Sequence, residues 1–295
     1  LAYNKVFSLE DLVYPLAGSF KYDGIRILNI AGGPYTRTLH QVPNLKARAW
    51  MRKVVPLGLD GELIAGDPRA QDCYNKTSSQ VMTVHAPLEG LSFWAFDWIG
   101  AHPNLYSLTR GFRSRRAEIA CMKLPANVHL VEQRILHNAK QAIAMRDEAI
   151  GLGYEGMMVR ELDARYKSGR SGLKEQLLLK VKLFEDVEAK IISVYARKEN
   201  TNEQERDLRG YAKRSKRKAG MVELDELGGF IVRRLDNGKT NKCGPGVLTQ
   251  EQRRALWKIR RTLPGKIIKC RIQIEGAMDK PRFPRFVGFR SKVDM

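Results

Sequence analysis

The sequence predicts an α+β protein in two parts, residues 1–184 with antiparallel strands and flanking helices and residues 185–295 as a small β-barrel. Three observations carry this reading. Up to about residue 184, short aliphatic or aromatic runs bounded by Gly or polar residues are separated by helix-length stretches. After Phe184 the texture changes to several strands around one obvious helix. Finally, 52 Lys and Arg against 32 Asp and Glu leave a formal charge of +20 on a chain that is 43% hydrophobic. Such a chain can bury a core and still needs a polyanionic partner, for which an OB-type barrel is suited.

The elements follow in order. Residues 19–30 read as strand, turn and strand, because Phe20, Ile25, Ile27, Leu28 and Ile30 favour extended backbone and Asp23-Gly24 is a turn dipeptide. A helix is expected at 45–54, and further strands at 59–64, 91–99, 156–160 and 177–183. A helix at 138–150 has Ala139, Ala142, Ile143 and Ile150 on one face, Asn138 as N-cap, and Gly151 and Gly153 after its end. In the second part, strands are expected at 187–196, 229–235, 266–274 and 286–289. Its helix opens at Thr249 with Gln252 at capping-box spacing, and Asn237-Gly238 marks a hairpin. Residues 197–220 are polar and basic with almost no aliphatic content, which predicts an excursion that is not part of the barrel core.

Composition also excludes classes. No run approaches the roughly 18 apolar residues of a membrane span. Residues 1–20 carry Lys5, Glu10 and Asp11 and lack the order of a signal peptide, so a cytoplasmic protein, or a viral one acting in its host cell, is expected. Cys73, Cys121, Cys243 and Cys270 lie far apart with no C-x-x-C pair, against both a zinc knuckle and a disulfide framework.

Lys21-Tyr22-Asp23-Gly24-Ile25-Arg26 places an amine at a strand end, a tight turn, and a guanidinium on the returning strand, a geometry able to hold one phosphate. The plain alternative is a hairpin with a surface Lys and Arg. Four further segments follow in order: Asp60-Gly61-Glu62, Phe93-Trp94-Ala95-Phe96-Asp97, Glu155-Gly156-Met157-Met158-Val159-Arg160 and Leu179-Lys180-Val181-Lys182. With Arg282-Phe283-Pro284-Arg285-Phe286-Val287-Gly288-Phe289-Arg290 they resemble the six motifs of the covalent nucleotidyltransferases. Within these the chain resembles ATP-dependent DNA ligases, and among those the minimal two-domain ligases of the Chlorella virus type. The likeness includes residues 166–171, with Tyr166, Lys167, Ser168 and Arg170, and the entry to the second part at residues 184–189.

The resemblance implies an adenylation (nucleotidyltransferase) domain followed by an OB-fold domain, and a ligase that uses ATP with Mg2+ or Mn2+ to seal 5'-phosphate/3'-hydroxyl nicks in duplex DNA. Lys21 would become the lysyl-AMP. Arg26 and Glu62 would hold the ribose side, Phe96 would stack on adenine, and Ser19 and Phe20 would flank the nucleotide. Glu155, with Glu62, would hold the metal, and Lys180 and Lys182 the α-phosphate. The amine of Lys21 must be neutral to attack, and desolvation together with cationic neighbours, Lys180, Lys182, Arg26 and a bound magnesium, is expected to lower its pKa. Trp94 shares a strand face with Phe96, so it is either a second wall of the site or a core residue, and the core is the expectation. Arg37, and more weakly Arg170, would clamp the nick's 5'-phosphate. A basic latch inserted at about 197–226, carrying Arg209, Lys213, Arg214, Lys216, Arg217 and Lys218, would close around DNA.

The last motif departs from the family: Gly288 stands where many relatives carry Arg, and Lys292-Val293 where they carry Asp-Lys. Arg285 and Arg290 remain to orient pyrophosphate, with the choice between them open. Ser19 stands where several relatives carry an acid or Thr. Only 20 residues precede Lys21, too few for the domain with which bacterial-type ligases grip NAD, so ATP is the expected cofactor. A monomer is expected. The alternatives are an RNA ligase, an mRNA-capping guanylyltransferase using GTP, or a non-catalytic OB-type nucleic-acid binder.

Overall fold

The computed structural model describes residues 2, 7–101, 108–167, 169–182, 184–208, 210–273 and 282–290. Ser168, Leu183, Arg209, Ile274, Lys292, Val293 and Lys5 lie outside these residues. The fold is α+β, with mainly antiparallel sheets and few helices, and it divides into two compact units, Leu1–Lys182 and Leu183–Met295. No helix among the described residues is long and apolar enough to cross a membrane.

The first unit holds two sheets. One has the order β7-β1-β8-β9, built from β1 (Leu16–Phe20), β7 (Arg134–Leu136), β8 (Met157–Glu161) and β9 (Leu179–Val181). The other has the order β3-β2-β4-β5-β6, from β2 (Ile25–Ile30), β3 (Gly33–Thr36), β4 (Leu59–Ala65), β5 (Leu91–Trp98) and β6 (Val128–Leu130). All its pairings are antiparallel except β5 with β6. Residues 19–30 are therefore not a hairpin. β1 pairs only with β7 and β8, and β2 only with β3 and β4, so residues 21–24 carry the chain from one sheet to the other.

Each sheet has its own core. α1 (Leu45–Val54) spans the residues its pattern predicts and buries Ala47 and Met51 against Ile27, Leu63 and Phe93 of the larger sheet. Burying one such large side chain stabilises the fold by about 1.5–3 kcal/mol. The N-cap of α1, Asn44, is buried: its side-chain oxygen accepts from the Ala47 amide, and its Nδ2 donates to the carbonyls of Gln80, Thr83 and Ala86 at 2.8, 3.0 and 2.9 Å. It thereby fixes the helix to the end of α2 (Cys73–Val81). After α3 (Phe112–Ala120), α4 (Ala139–Gly151) starts on the predicted N-cap, Asn138, and packs on the smaller sheet. Its buried face is Ala142, Met145 and Ala149 rather than one centred on Ile143 and Ile150, which are only half-buried. Met145 and Leu136 fill the space that a side chain at Gly18 would need, so the small sheet selects this face.

The second unit is a five-stranded sheet of order β14-β13-β10-β15-β16, where β10 is Phe184–Asn200, β13 Met221–Arg234, β14 Thr240–Cys243, β15 Ile267–Gln273 and β16 Arg282–Phe289. A bridge between Gly244 and Arg285 brings the two edges together, so the sheet curls on itself as a barrel around Ile191, Phe230, Ile268 and Phe286. α5 (Gln250–Lys258) opens on the Thr249 capping box, and Asn237-Gly238 turns β13 into β14. The polar excursion is less detached than its composition suggests. Residues 197–200 prolong β10 and pair with 221–224 of β13 after bulges beside Ala196. The tip is a separate ribbon of β11 (Gln204–Arg206) and β12 (Ala212–Arg214). Asn200 and Asn202 fasten its base, donating to the carbonyls of Ser215 and Arg217 at 2.8–3.0 Å. Within the barrel the sulfurs of Cys243 and Cys270, both buried, face each other at 3.3 Å.

Candidate active site

Lys21 lies at the crossover between the two sheets. β1 runs out at Phe20, opposite Met157 of β8, and the ladder continues one step: the Lys21 amide donates to the Gly156 carbonyl at 2.8 Å, and the Glu155 amide donates to the Lys21 carbonyl at 3.3 Å. Two glycines permit this. A Cβ on Gly24 would stand 2.4 Å from the Leu63 carbonyl oxygen, so the turn can press against β4 only without a side chain. Gly156 has φ +134°, and a Cβ there would meet the Val181 carbonyl oxygen at 2.3 Å.

The backbone brings Glu155 beside the Lys21 amine, and period-two alternation brings two more amines from β9. Leu179 and Val181 turn into the core, so Lys180 and Lys182 face the other way. The buried Glu155 carboxylate accepts from both Lys21 Nζ and Lys182 Nζ. Burial works against its ionised form, but these two ammonium groups outweigh burial and hold its pKa down to about 2. Burial also pushes the Lys21 amine down, yet the carboxylates of Glu155, Glu62 and Asp23 together hold it above the ordinary lysine value. The side-chain cations alone therefore do not depress the Lys21 pKa, and the bound magnesium that the expectation also counted on is not part of this balance. The depressed amine is Lys180, brought to about 8 by burial and by Lys21, Lys182 and Arg37. Lys182 is lowered too, chiefly by burial.

On the other sheet, Arg26 stands opposite Glu62, and Glu62 opposite Trp94, which stands beside His129. These four form one row across the sheet. Arg26 is gripped by Asp60, its Nε donating to Oδ1 at 2.9 Å and its Nη2 to Oδ2, and Tyr166 donates its hydroxyl to the same carboxylate at 2.6 Å. The β4–β5 register shifts between Asp60 and Gly61, which leaves Phe96 as the extra residue between Ala95 and Asp97. The Phe96 ring lies 5.4 Å from the Arg26 guanidinium. Trp94 is not a core residue. Leu91, Phe93 and Ala95 take the buried face of β5, and Trp94 stands on the opposite, half-buried face, its ring 4.8 Å from Tyr22 and 4.5 Å from His129. Trp94 and His129 also border an open pocket of about 540 Å³.

Asp60 and Tyr166 belong to the motif segments but carried no expected role. Asp60 lies two residues from Glu62, hence on the same face of β4, which is the signal that could have singled it out. Tyr166 is brought to Arg26 from 140 residues away, and no local pattern predicts that.

Other expected residues lie apart from this cluster. Ser19 is buried in β1, opposite Met158, and Phe20 stacks on Tyr154. Arg37 is exposed in the turn after β3, yet close enough for its charge to act on Lys180. Arg170 is exposed in the loop before Ser171. In the second unit, Arg290 donates to Glu188 at 2.7 Å while Arg285 is exposed on β16. Lys213, Arg214, Lys216, Arg217 and Lys218 are all exposed on the ribbon and the loop that follows it.

A family model described as the ATP dependent DNA ligase domain matches residues 16–182, a span that holds both sheets and the Lys21 cluster. The chain belongs to the ATP-dependent DNA ligase family. Family membership favours DNA ligase over the RNA ligase, capping-enzyme and non-catalytic alternatives, and implies ATP use. The chain is similar to the Chlorella virus DNA ligase-adenylate, at 26% identity and a TM-score of 0.53, with 97% of this chain and 96% of that one covered. It is also similar to a Lig E DNA ligase whose structure is described as binding DNA with a minimal scaffold, at 25% identity and a TM-score of 0.72, with 98% of each chain covered. Both likenesses extend over adenylation and OB-fold parts. A curated DNA ligase of Methanopyrus kandleri is 43% identical over 70 residues, a match that covers 24% of this chain and only 12% of that protein.

The family implies a divalent metal, and the donor set can be tested against it. Among the described residues no three His, Cys, Asp or Glu side chains form a ready-made metal cage. Magnesium commonly binds through one or two carboxylates together with substrate phosphates and water, so a site of two carboxylates suits it. Burial, with Asp23 and Asp60 adding to it, pushes the Glu62 carboxyl up to about 7 against the pull of Lys21 and Arg26. A nearby cation would relieve that cost of ionisation, so Glu62 and Glu155 fit the group.

Proposed function

We propose that this protein is an ATP-dependent DNA ligase that seals 5'-phosphate/3'-hydroxyl nicks in duplex DNA through a lysyl-AMP on Lys21. One observation carries the assignment of the nucleophile: the Lys21 amine is held at the sheet crossover, with Glu155, Lys180 and Lys182 brought to it by one β-ladder and Glu62 by the other sheet. In the first step Lys21 Nζ, having lost its proton, bonds to the α-phosphorus of ATP as the bond to pyrophosphate breaks. AMP then passes to the 5'-phosphate of the nick, and the 3'-hydroxyl attacks that phosphate and expels AMP.

Lys180 and Lys182 spread the negative charge of the transferring phosphate, the main demand of phosphoryl-type transfer on a protein. Arg26 and Glu62 hold the ribose side, Phe96 stacks on adenine, and Ser19 and Phe20 flank the nucleotide. Glu62 and Glu155 would hold Mg2+ or Mn2+, which supplies charge neutralisation at the phosphates when bound. Arg37 clamps the nick's 5'-phosphate, with Arg170 as a second clamp. The basic ribbon grips the duplex through phosphates. Between Arg285 and Arg290, Arg285 is the one we assign to the leaving pyrophosphate, because Arg290 is engaged with Glu188 of its own barrel. The adenylation part then corresponds to the first compact unit and the OB-fold part to the second, which begins at Leu183, a residue or two before the expected boundary of 184/185, and the protein acts as a monomer in the cytoplasm or in an infected host cell.

The test is direct. With labelled ATP and magnesium the protein forms an acid-labile covalent adduct, and adding nicked duplex moves the label to DNA and joins the strands. Lys21→Ala forms no adduct but still joins pre-adenylated nicks weakly. Labelling from GTP alone would instead indicate a capping guanylyltransferase, and no adduct with the wild-type protein would sink the reading.

A further inference from the structure

Both sequence neighbours of Lys21 rest on one aromatic ring. Tyr154 stacks on Phe20, with centroids 4.8 Å apart and planes at 25°, and meets Tyr22 edge-on at 5.3 Å and 69°. Tyr154 also directly precedes Glu155, the acceptor of the Lys21 amine. Its own position is fixed by the end of α4, where its amide donates to the Ala149 carbonyl at 2.9 Å and Gly153, at φ +87°, turns the chain out of the helix. From Tyr154 the chain of rings continues in both directions: Arg134 lies over Phe20 at 5.1 Å, and Tyr22 stacks on Trp94 of the second sheet at 4.8 Å.

We infer that Tyr154 is a positioning residue for the first step, holding Phe20 and Tyr22 so that the Lys21 amine between them is aimed at the α-phosphate. This inference rests on the reading of Lys21 as the nucleophile. Residues on either side of a side chain in extended backbone point away from it, so a ring that fixes both of them sets the origin and direction of the Lys21 side chain without touching the substrate. Aromatic pairs of this kind are directional, favouring offset-stacked and edge-to-face geometries over other orientations. A nucleophile displaced by about 1 Å can lose about 100-fold in rate.

The experiment separates the first step from the last. Tyr154→Leu keeps apolar bulk but removes the ring. Lysyl-AMP formation at saturating ATP should fall about 100-fold, whereas joining of a pre-adenylated nick, which does not use Lys21 as nucleophile, should change by less than about threefold. Adduct formation at the wild-type rate, or equal loss of both reactions, would overturn the inference. If Tyr154→Leu does not fold, Tyr154→Phe keeps the ring and Tyr154→Met keeps flexible apolar bulk without it. Tyr154→Phe should form the adduct within about threefold of the wild-type rate, whereas Tyr154→Met should be slowed about 100-fold, because the ring itself does the positioning. Equal rates for these two variants would refute it. Absence of any adduct from the wild-type protein would reject the reading of Lys21 itself, a separate result.

Discussion

Asp60, with no exposed surface, grips the guanidinium of Arg26 at two points, and this pair sits on the diagonal from Arg26 to the residue two before its strand partner, Glu62. The carboxylate thus fixes a cation at the edge of the site rather than being available to a metal. Asp60→Ala leaves a half-buried guanidinium without its partner, which should lower stability by about 3 kcal/mol. It should also raise the ATP concentration needed for adduct formation. Thermal unfolding and ATP titration of adenylation check the two effects, and a variant with unchanged ATP dependence would show that Arg26 does not act on the nucleotide.

The lowered pKa of Lys180, about 8 against an ordinary 10.5, has two opposite consequences with pH. Above pH 8 the ammonium loses its charge, so phosphate binding should weaken between pH 7 and 9, and Lys180→Arg should flatten that fall. Stability moves the other way. Between pH 8 and 10.5 the unfolded chain holds this proton and the folded chain does not, so this group makes unfolding harder as pH rises. Adduct formation as a function of pH, alongside denaturant unfolding at the same pH values, reads both slopes.

Gly156 makes a tight backbone approach beside Lys21. Gly156→Ala must both leave φ +134° and push the Val181 carbonyl away, and strain plus overpacking should cost roughly 2–5 kcal/mol. Because β9 moves with Val181, adenylation should fall further than the loss of folded protein explains. Measuring adduct formation per folded molecule distinguishes the two.

Neutralising Lys213, Arg214, Lys216, Arg217 and Lys218 together should weaken nick binding and reduce the slope of log affinity against log salt by about 0.9 for each DNA phosphate that no longer has a cationic partner. Adduct formation from ATP should be largely unaffected. An unchanged salt slope would mean that this ribbon does not meet DNA.

Local features of the fold were legible in the sequence, and pairings at a distance were not. The bounds of α1, the Asn138 and Thr249 caps and the Asn237-Gly238 hairpin are set by neighbouring residues, and each is where its pattern put it. The segment through Lys21 read locally as strand, turn and strand, because Asp23-Gly24 has turn chemistry. That its two strands join different sheets depends on partners at residues 136, 157–161 and 60–63, which no window around Lys21 contains. Trp94 was misplaced for a related reason. Period two said that it shares a face with Phe96 but could not say which face of β5 is covered. For Lys21, counting cationic neighbours missed that Glu155, Glu62 and Asp23 are nearer in effect.

The crossover at residues 21–24 also bears on how the protein is made. Lys21 is synthesised well before the groups around it, which come from strands that end only at Val181 and from Lys182 just beyond. A nascent chain still attached to its ribosome therefore carries an inert lysine until Lys182 has emerged from the exit tunnel. Reactivity toward ATP is then a marker for completion of the whole first unit, and a chain cut short before β9 would be silent however well its larger sheet had formed.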